Sequence, residues 1–311
     1  MSAGREPWRE WRARLDALGF RPSRRLGQNF LLDENLARAI VRDAAVAEGE
    51  RVLEVGPGLG FLTRPLLEAG ARVLAVEIDG RLAQVLREDL GEHPGFELVH
   101  GDALEGKHRL APAVLERLPA GEPWSLVSNL PYSVSAPLLA VLAGLPAPPA
   151  SMTALVQREV AERLAARPGT PDWGPISARL QAAYRVEPGR AVGPAQFWPR
   201  PKVDSAVVHL RRLPEPPARE DLERLSELVG ALFQRRRQKL GRVLGDLLGG
   251  REPALAALEA LGVDPGVRAE TLDLEALRGL ADRPEWRERA GAGRRAGKIH
   301  PGELAPGDSI D

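Results

Sequence analysis

The tetrapeptide Asn129-Leu130-Pro131-Tyr132 follows a short apolar run that holds Trp124, Leu126 and Val127. Its chemistry suits one task, holding a planar amine-bearing base beside a methyl donor. The Asn129 carboxamide and the Leu130 carbonyl offer acceptors for an exocyclic N–H₂. Pro131 removes a backbone donor and stiffens the turn, and the Tyr132 ring can stack on a base. Further upstream, Glu54-Val55-Gly56-Pro57-Gly58-Leu59-Gly60 stands where a strand hands over to a helix. Gly56 and Gly58 let the backbone turn sharply and approach a ligand closely. The loop lacks the third glycine of a pyrophosphate-binding turn and has Pro57 in the gap, which favours a nucleoside without phosphates. Glu77, at the end of the next strand, can accept from both ribose hydroxyls, although a nicotinamide enzyme would use it in the same way. Asp102 ends the third strand and is followed by Ala103 and Leu104. It can take an adenine amino group while Leu104 lines the ring pocket, or it can simply cap a helix.

Alternating strands and helices must hold these groups. Strands are expected at 51–55, 72–78, 96–100, 124–127 and 152–157, with helices at 62–69 and 81–90 between the first three. Asp33 is placed to cap a helix running to about Ala47. Such a rhythm argues for a doubly wound parallel sheet with ligands at the carboxyl ends of its strands. A further pair near 178–186 and 205–211 is apolar enough to extend the sheet. Leu213-Pro214-Glu215-Pro216-Pro217 reads as a linker. Beyond it Leu222, Leu225, Leu228, Val229 and Leu232 keep helical spacing, and more helical patterns follow to Leu280. The expected organisation is an amphipathic extension over 1–20, an α/β domain over 21–213 and a small all-α domain over 214–283. The Gly-, Arg- and Pro-rich tail over 284–311 is expected to be disordered.

Composition removes several alternatives. The chain has 311 residues, no cysteine and five scattered histidines, so neither a thiol nucleophile nor a metal site is expected. Formal net charge is zero, so only local patches can indicate a nucleic-acid partner. No signal-peptide core opens the chain. Residues 129–157 carry no charge, but Pro131, Pro137, Pro146, Pro148 and Pro149 interrupt them too often for a spanning helix. A soluble, cytoplasmic protein with no membrane contact is expected.

The glycine loop, Glu77, Asp102 and Asn129 on four strand ends together resemble the class I S-adenosylmethionine-dependent methyltransferases, which share a Rossmann-like fold. More motifs sharpen the likeness. Arg25-Leu26-Gly27-Gln28-Asn29-Phe30-Leu31, Gly56-Pro57-Gly58, Glu77-Ile78-Asp79, Gly101-Asp102-Ala103-Leu104 and Asn129-Leu130-Pro131-Tyr132 occur in the order found in rRNA adenine N6-dimethyltransferases. The segment from Phe197-Trp198-Pro199-Arg200-Pro201 to Val208 resembles the branch that acts on small-subunit (16S) rRNA. The resemblance implies S-adenosyl-L-methionine contacts from Asn29, Leu31, Gly56, Gly58, Glu77, Asp102, Ala103 and Asn129. It implies a target of two adjacent adenosines in the 3′-terminal hairpin, each dimethylated on N6. Tyr132 and Phe197 would then flank the base. For Phe197 the residues alone suggest, nearly as well, a core aromatic anchoring the Pro-rich loop.

Residues 233–242 carry five cations, Arg235, Arg236, Arg237, Lys239 and Arg242, and no acid. Such a run is commonly a solvated helix face; beside a methyltransferase domain it is expected to grip RNA phosphates. Arg21, Arg24 and Arg25 form a smaller patch. The partner implied is small-subunit rRNA or the immature 30S particle, bound by a monomer. Two rivals remain: the macrolide-resistance type of large-subunit rRNA methyltransferase, and an assembly factor that keeps the fold without activity.

Overall fold

In the computed structural model, residues 8–23, 26–106 and 109–295 are described. The first helix, α1 (Trp8–Ala17), precedes a two-residue strand, β1 (Phe30–Leu31). Helix α2 (Glu34–Ala44) starts where the Asp33 side chain accepts from the Leu36 N–H at 3.0 Å. Then come β2 (Arg51–Val55), α3 (Thr63–Glu68), β3 (Arg72–Glu77), α4 (Gly80–Leu90, capped by Asp79) and β4 (Phe96–His100). A small hairpin, β5 (Leu104–Glu105) and β6 (Arg109–Leu110), leads through α5 (Pro112–Leu115) to β7 (Trp124–Asn129). The remainder of this part is α6 (Ser135–Ala143), β8 (Ser151–Gln157), α7 (Arg158–Leu164), α8 (Pro175–Gln181), β9 (Tyr184–Val192), β10 (Phe197–Trp198) and β11 (Ser205–Arg212).

The seven-stranded sheet runs β4-β3-β2-β7-β8-β11-β9. The first five strands are parallel; β11 lies antiparallel to both β8 and β9. Successive strand residues feed two different apolar clusters. Leu53, Val55, Leu74 and Val76 point into one, Val52, Val73 and Ala75 into the other, so both faces are covered. From β2 the chain moves outward through β3 and β4, and then returns to β7 on the opposite side of β2. The crevice where the order reverses opens at the carboxyl ends of these strands, which is where Gly56, Glu77, Asp102 and Asn129 stand.

After the linker, α9 (Arg219–Phe233), α10 (Leu240–Leu247), α11 (Arg251–Ala260), α12 (Leu274–Ala281) and α13 (Pro284–Arg295) pack around one further cluster. That cluster takes in Trp173, Ala178 and Ala182 from the α8 region, and Arg278 donates to the Ala182 carbonyl at 2.7 Å. The helical part therefore shares its core with the α/β part. Among the described residues, no helix is long and apolar enough to cross a membrane.

Three expectations change here. Residues 175–181 are a helix, and the strand expected from 178 begins only at Tyr184. Pro175 at the first helical position, after Gly174, sets that helix start. The tail expected to be disordered from 284 carries α13 to Arg295. Trp286 is buried and its indole N–H donates to the Arg224 carbonyl at 3.2 Å, and with buried Ala290 and Arg289 donating to the Asp246 and Leu247 carbonyls it orders a segment poor in apolar residues. Residues 296–311 lie outside the described residues. The basic run also sits differently: α9 ends at Phe233 and α10 begins at Leu240, and the cations between them occupy an exposed turn instead of a helix face.

Candidate active site

A single cleft is lined by residues 26–31, 54–59, 76–78, 101–104 and 129–134. It gathers Asn29, Leu31, Gly56, Gly58, Glu77, Asp102, Ala103, Asn129, Leu130, Pro131 and Tyr132. Two glycines fix its floor. Gly56 has φ +72° and a Cβ there would meet the Pro131 ring at 3.2 Å; Gly58 has φ +59° and its Cβ would fall 2.7 Å from the Phe30 ring. Any other residue at Gly58 must both adopt a left-handed backbone and displace Phe30.

Asn129 ends β7. Its Nδ2 donates to the Asn29 carbonyl at 3.0 Å, so the side chain is held across the cleft by the segment leading into β1. That bond fixes the amide's orientation and leaves Oδ1 as an acceptor. The Leu130 N–H is occupied by the Leu155 carbonyl at 3.1 Å. Neither Asn129 Oδ1 nor the Leu130 carbonyl accepts from another described residue. Two neighbouring acceptors without protein donors are what an N–H₂ group requires. Tyr132 is half-buried, and its hydroxyl shares a 2.7 Å hydrogen bond with Ser205 Oγ at the start of β11.

Three carboxylates face the same cleft. Glu77 is buried, accepting from the Gly58 N–H at 3.0 Å and the Asp79 N–H at 2.9 Å. Burial pushes it up to about 7, against the pull of those backbone donors. Glu54, fully buried beside it, is pushed to about 8 by burial, with the Glu77 charge adding to the rise while Thr63 and Arg64 oppose it. Glu54 Oε2 has no hydrogen-bond partner among the described residues. Asp102 is exposed and its Oδ1 accepts from the Leu104 N–H at 2.9 Å, a local turn contact that leads into β5 and caps no helix. An orphaned carboxylate oxygen and two acids held near neutrality mark a site suited to a cationic ligand rich in donors. A nucleoside that carries a sulfonium and an ammonium fits that description, whereas a pyrophosphate does not.

The same acids make stability depend on pH. In the cofactor-free fold Glu54 and Glu77 keep protons that the unfolded chain releases near pH 4.5, so raising the pH favours unfolding. Their contribution is complete below about pH 4.5 and is lost as the pH rises through about 7 for Glu77 and 8 for Glu54. Each tenfold difference in proton affinity between the folded and unfolded chain is worth about 1.4 kcal/mol, so the loss is on the order of a few kcal/mol. Calorimetry of the cofactor-free protein should show the melting temperature falling from pH 5 to pH 8. In Glu54→Gln the fall should be shallower; an unchanged slope in that variant contradicts the assignment.

Phe197, expected as a second wall for the base, does not line the cleft. Its ring is 4% exposed and belongs to the cluster around Leu31, its partner in the β1–β10 pairing. Its apolar area anchors β10, which corrects the stacking role. Arg24 and Arg25 lie outside the described residues. Arg235 pairs with Asp246, while Arg236, Arg237, Lys239 and Arg242 are exposed and make no ion pair with any described residue. Glu54, Phe30 and Ser205 belong to the site although no role follows from their place in the sequence. Only the acid before the glycine loop gives a usable signal, since its strand position is inward-facing.

Residues 19–281 match the family model described as Ribosomal RNA adenine dimethylase. The chain is 42% identical over 270 residues to Ribosomal RNA small subunit methyltransferase A of Thermobifida fusca, covering 85% of this chain and 91% of the relative. It is also 42% identical over 271 residues to the protein of that name from Phenylobacterium zucineum, covering 87% and 91%. Among solved structures, the 23S rRNA methyltransferase ErmE is similar with a TM-score of 0.62 and 30% identity, over 81% of this chain and 98% of that one. A dimethyladenosine transferase from Plasmodium falciparum has a TM-score of 0.67 at 22% identity, covering 80% and 94%, a likeness of fold.

Proposed function

This chain belongs to the ribosomal RNA adenine dimethylase family, and on that premise we propose that it dimethylates N6 of two adjacent adenosines in the 3′-terminal hairpin of small-subunit rRNA. The observation that carries the reading is the convergence of Glu77, Asp102, Asn129 Oδ1 and the Leu130 carbonyl on one cleft. S-adenosylmethionine, the cofactor, supplies a methyl group on a positively charged sulfur. Glu77 would receive its ribose hydroxyls and Asp102 its adenine amino group, while Asn29, Leu31, Gly56, Gly58 and Ala103 form the surrounding wall.

Adenine N6 is a poor nucleophile because its lone pair is delocalised into the ring. Asn129 Oδ1 and the Leu130 carbonyl hold the two amino hydrogens, favouring a pyramidal nitrogen with its lone pair turned toward the methyl. So aligned, N6 would take the methyl in line, with the sulfur leaving as a neutral thioether and the resulting ammonium giving its proton to water. Alignment of this kind supplies roughly 7–11 kcal/mol. No histidine lines the cleft among the described residues, and we assign no general base. The target base leaves its stack at a cost of a few kcal/mol, which stacking on Tyr132 offsets by about 1–3 kcal/mol.

The exposed Arg236, Arg237, Lys239 and Arg242, with Arg235, are suited to RNA phosphates. The 42% identity to enzymes named for the small subunit, against 30% to ErmE, favours the small-subunit target, and an immature 30S particle is the expected form of it. Action as a monomer, in the cytoplasm where that particle is assembled, belongs to the same reading. Transfer of labelled methyl groups to unmethylated small and large subunits, followed by mapping of the modified nucleotides, tests the reading. Label is expected in two adjacent adenosines of small-subunit rRNA. Label in large-subunit rRNA alone would move the assignment to the ErmE-like activity, and none in either would leave an assembly factor.

A further inference from the structure

The loop over residues 199–204 starts and ends beside the cleft. At its start, the Trp198 ring stacks on Phe30 with centroids 5.9 Å apart and 25° between planes. At its end, Ser205 is hydrogen-bonded to the Tyr132 hydroxyl. Phe30 and Tyr132 both line the cleft, so the six residues between these anchors are tied at each end to its wall. The loop contains Pro199 and Pro201, which restrict its conformations before any ligand arrives.

Arg200 and Lys202 are exposed and make no hydrogen bond or ion pair with any described residue. Val203, 46% exposed, adds an apolar surface next to them. Asp204 is the only acid in the loop. Arg158 pairs with it at 3.2 Å, and the Arg158 N–H donates to its carbonyl at 3.0 Å, which cancels the acid and pins the end of the loop. Trp198 is less suited to take a base, since it already contacts Phe30 and lies 5.1 Å from the Arg12 guanidinium. The rim therefore presents two uncommitted cations and an apolar side chain on a stiff support, on a protein whose formal net charge is zero.

We propose that Arg200 and Lys202 bind the backbone phosphates flanking the target adenosine, holding the strand open while its base lies against Tyr132. The proposal rests on the rRNA methyltransferase reading and adds a second grip, beside the cleft itself and separate from the cations over 235–242. A base can reach Asn129 only if its own phosphates come to the rim. Cations there act on the unstacked strand, whereas those over 235–242, which do not line the cleft, act on flanking RNA.

The test is the salt dependence of binding to unmethylated ribosomal subunits, of the type that the wild type methylates, compared with Arg200→Gln/Lys202→Gln. Each phosphate contact contributes about 0.7–0.9 to the slope of log K against log salt, so the double variant should lose about 1.5 from that slope. Its KM for subunits should rise roughly tenfold near 150 mM salt, in line with that slope. S-adenosylmethionine affinity, which the loop does not touch, should stay at the wild-type value and also reports correct folding. Arg200→Lys/Lys202→Arg should restore most of the slope. A slope and KM equal to wild type, with normal wild-type methylation, would overturn the loop assignment alone. Absence of RNA binding and methylation by the wild type would overturn the enzymatic reading and the loop assignment with it.

Discussion

Asn129→Ala should lower kcat for methyl transfer by about 10³-fold, while affinity for the RNA substrate stays within about threefold of wild type. The effect is large because Oδ1 is one of only two acceptors available to the target amine. Without it, one N–H is left without a partner inside a partly dry cleft and the lone pair is no longer aimed. Mutational losses of a single well-placed polar partner in other active sites are about 3–4 kcal/mol, which is the scale expected here. The substitution also removes the 3.0 Å bond to the Asn29 carbonyl, worth roughly 1 kcal/mol of stability. Thermal unfolding must therefore accompany the kinetics. Asn129→Asp separates the two roles: it keeps acceptor oxygens but cannot donate to Asn29, and should retain more activity than the alanine variant. An alanine variant that keeps a tenth of wild-type activity would show that the amine is held by something else.

Glu77→Ala should weaken S-adenosylmethionine binding by roughly 100-fold, or about 3 kcal/mol, as expected for the loss of two charge-assisted hydrogen bonds. Titration calorimetry measures this directly. The carboxylate organises its surroundings as well, since it accepts from Gly58 and Asp79. Part of the loss will thus come from a looser glycine loop. Glu77→Gln keeps the shape but offers one acceptor oxygen to two backbone donors, and should fall between wild type and alanine. RNA affinity at saturating cofactor should be nearly unchanged in both. A weakening of less than threefold in Glu77→Ala would remove Glu77 from the binding site.

Much of this arrangement is legible in the chain because the determinants are local. Leu53, Leu74 and Leu126 alternate with residues of the other face at period two, and each site residue stands immediately after such a run. Asn29 is different. Its place is set by a hydrogen bond to a residue 100 positions away, and nothing in its neighbourhood announces it; only family resemblance points there. Phe197 misleads for a related reason. An aromatic before a Pro-rich loop can face a ligand or the core, and the pairing with Leu31 that decides between them is long-range. At 175–181 the apolar content suits strand and helix equally, and the decisive sign is Pro175 after Gly174. The basic run has no apolar residue between Phe233 and Leu240, so no face of it could pack as a helix.

The small apolar cluster of Trp11, Leu15, Phe20, Phe30, Leu59, Leu82 and Val85 stands apart from the clusters on the two faces of the sheet. Being small and peripheral, it can open without disturbing the rest. Phe30 nevertheless rests directly over Gly58. A protease that cut the chain shortly after Phe20 would remove the Phe20 edge contact, while Phe30 stays paired and stacked with Trp198. The opening segment thus backs one wall of the methyl-donor chamber, reaching it through the edge contact of Phe20 on Phe30.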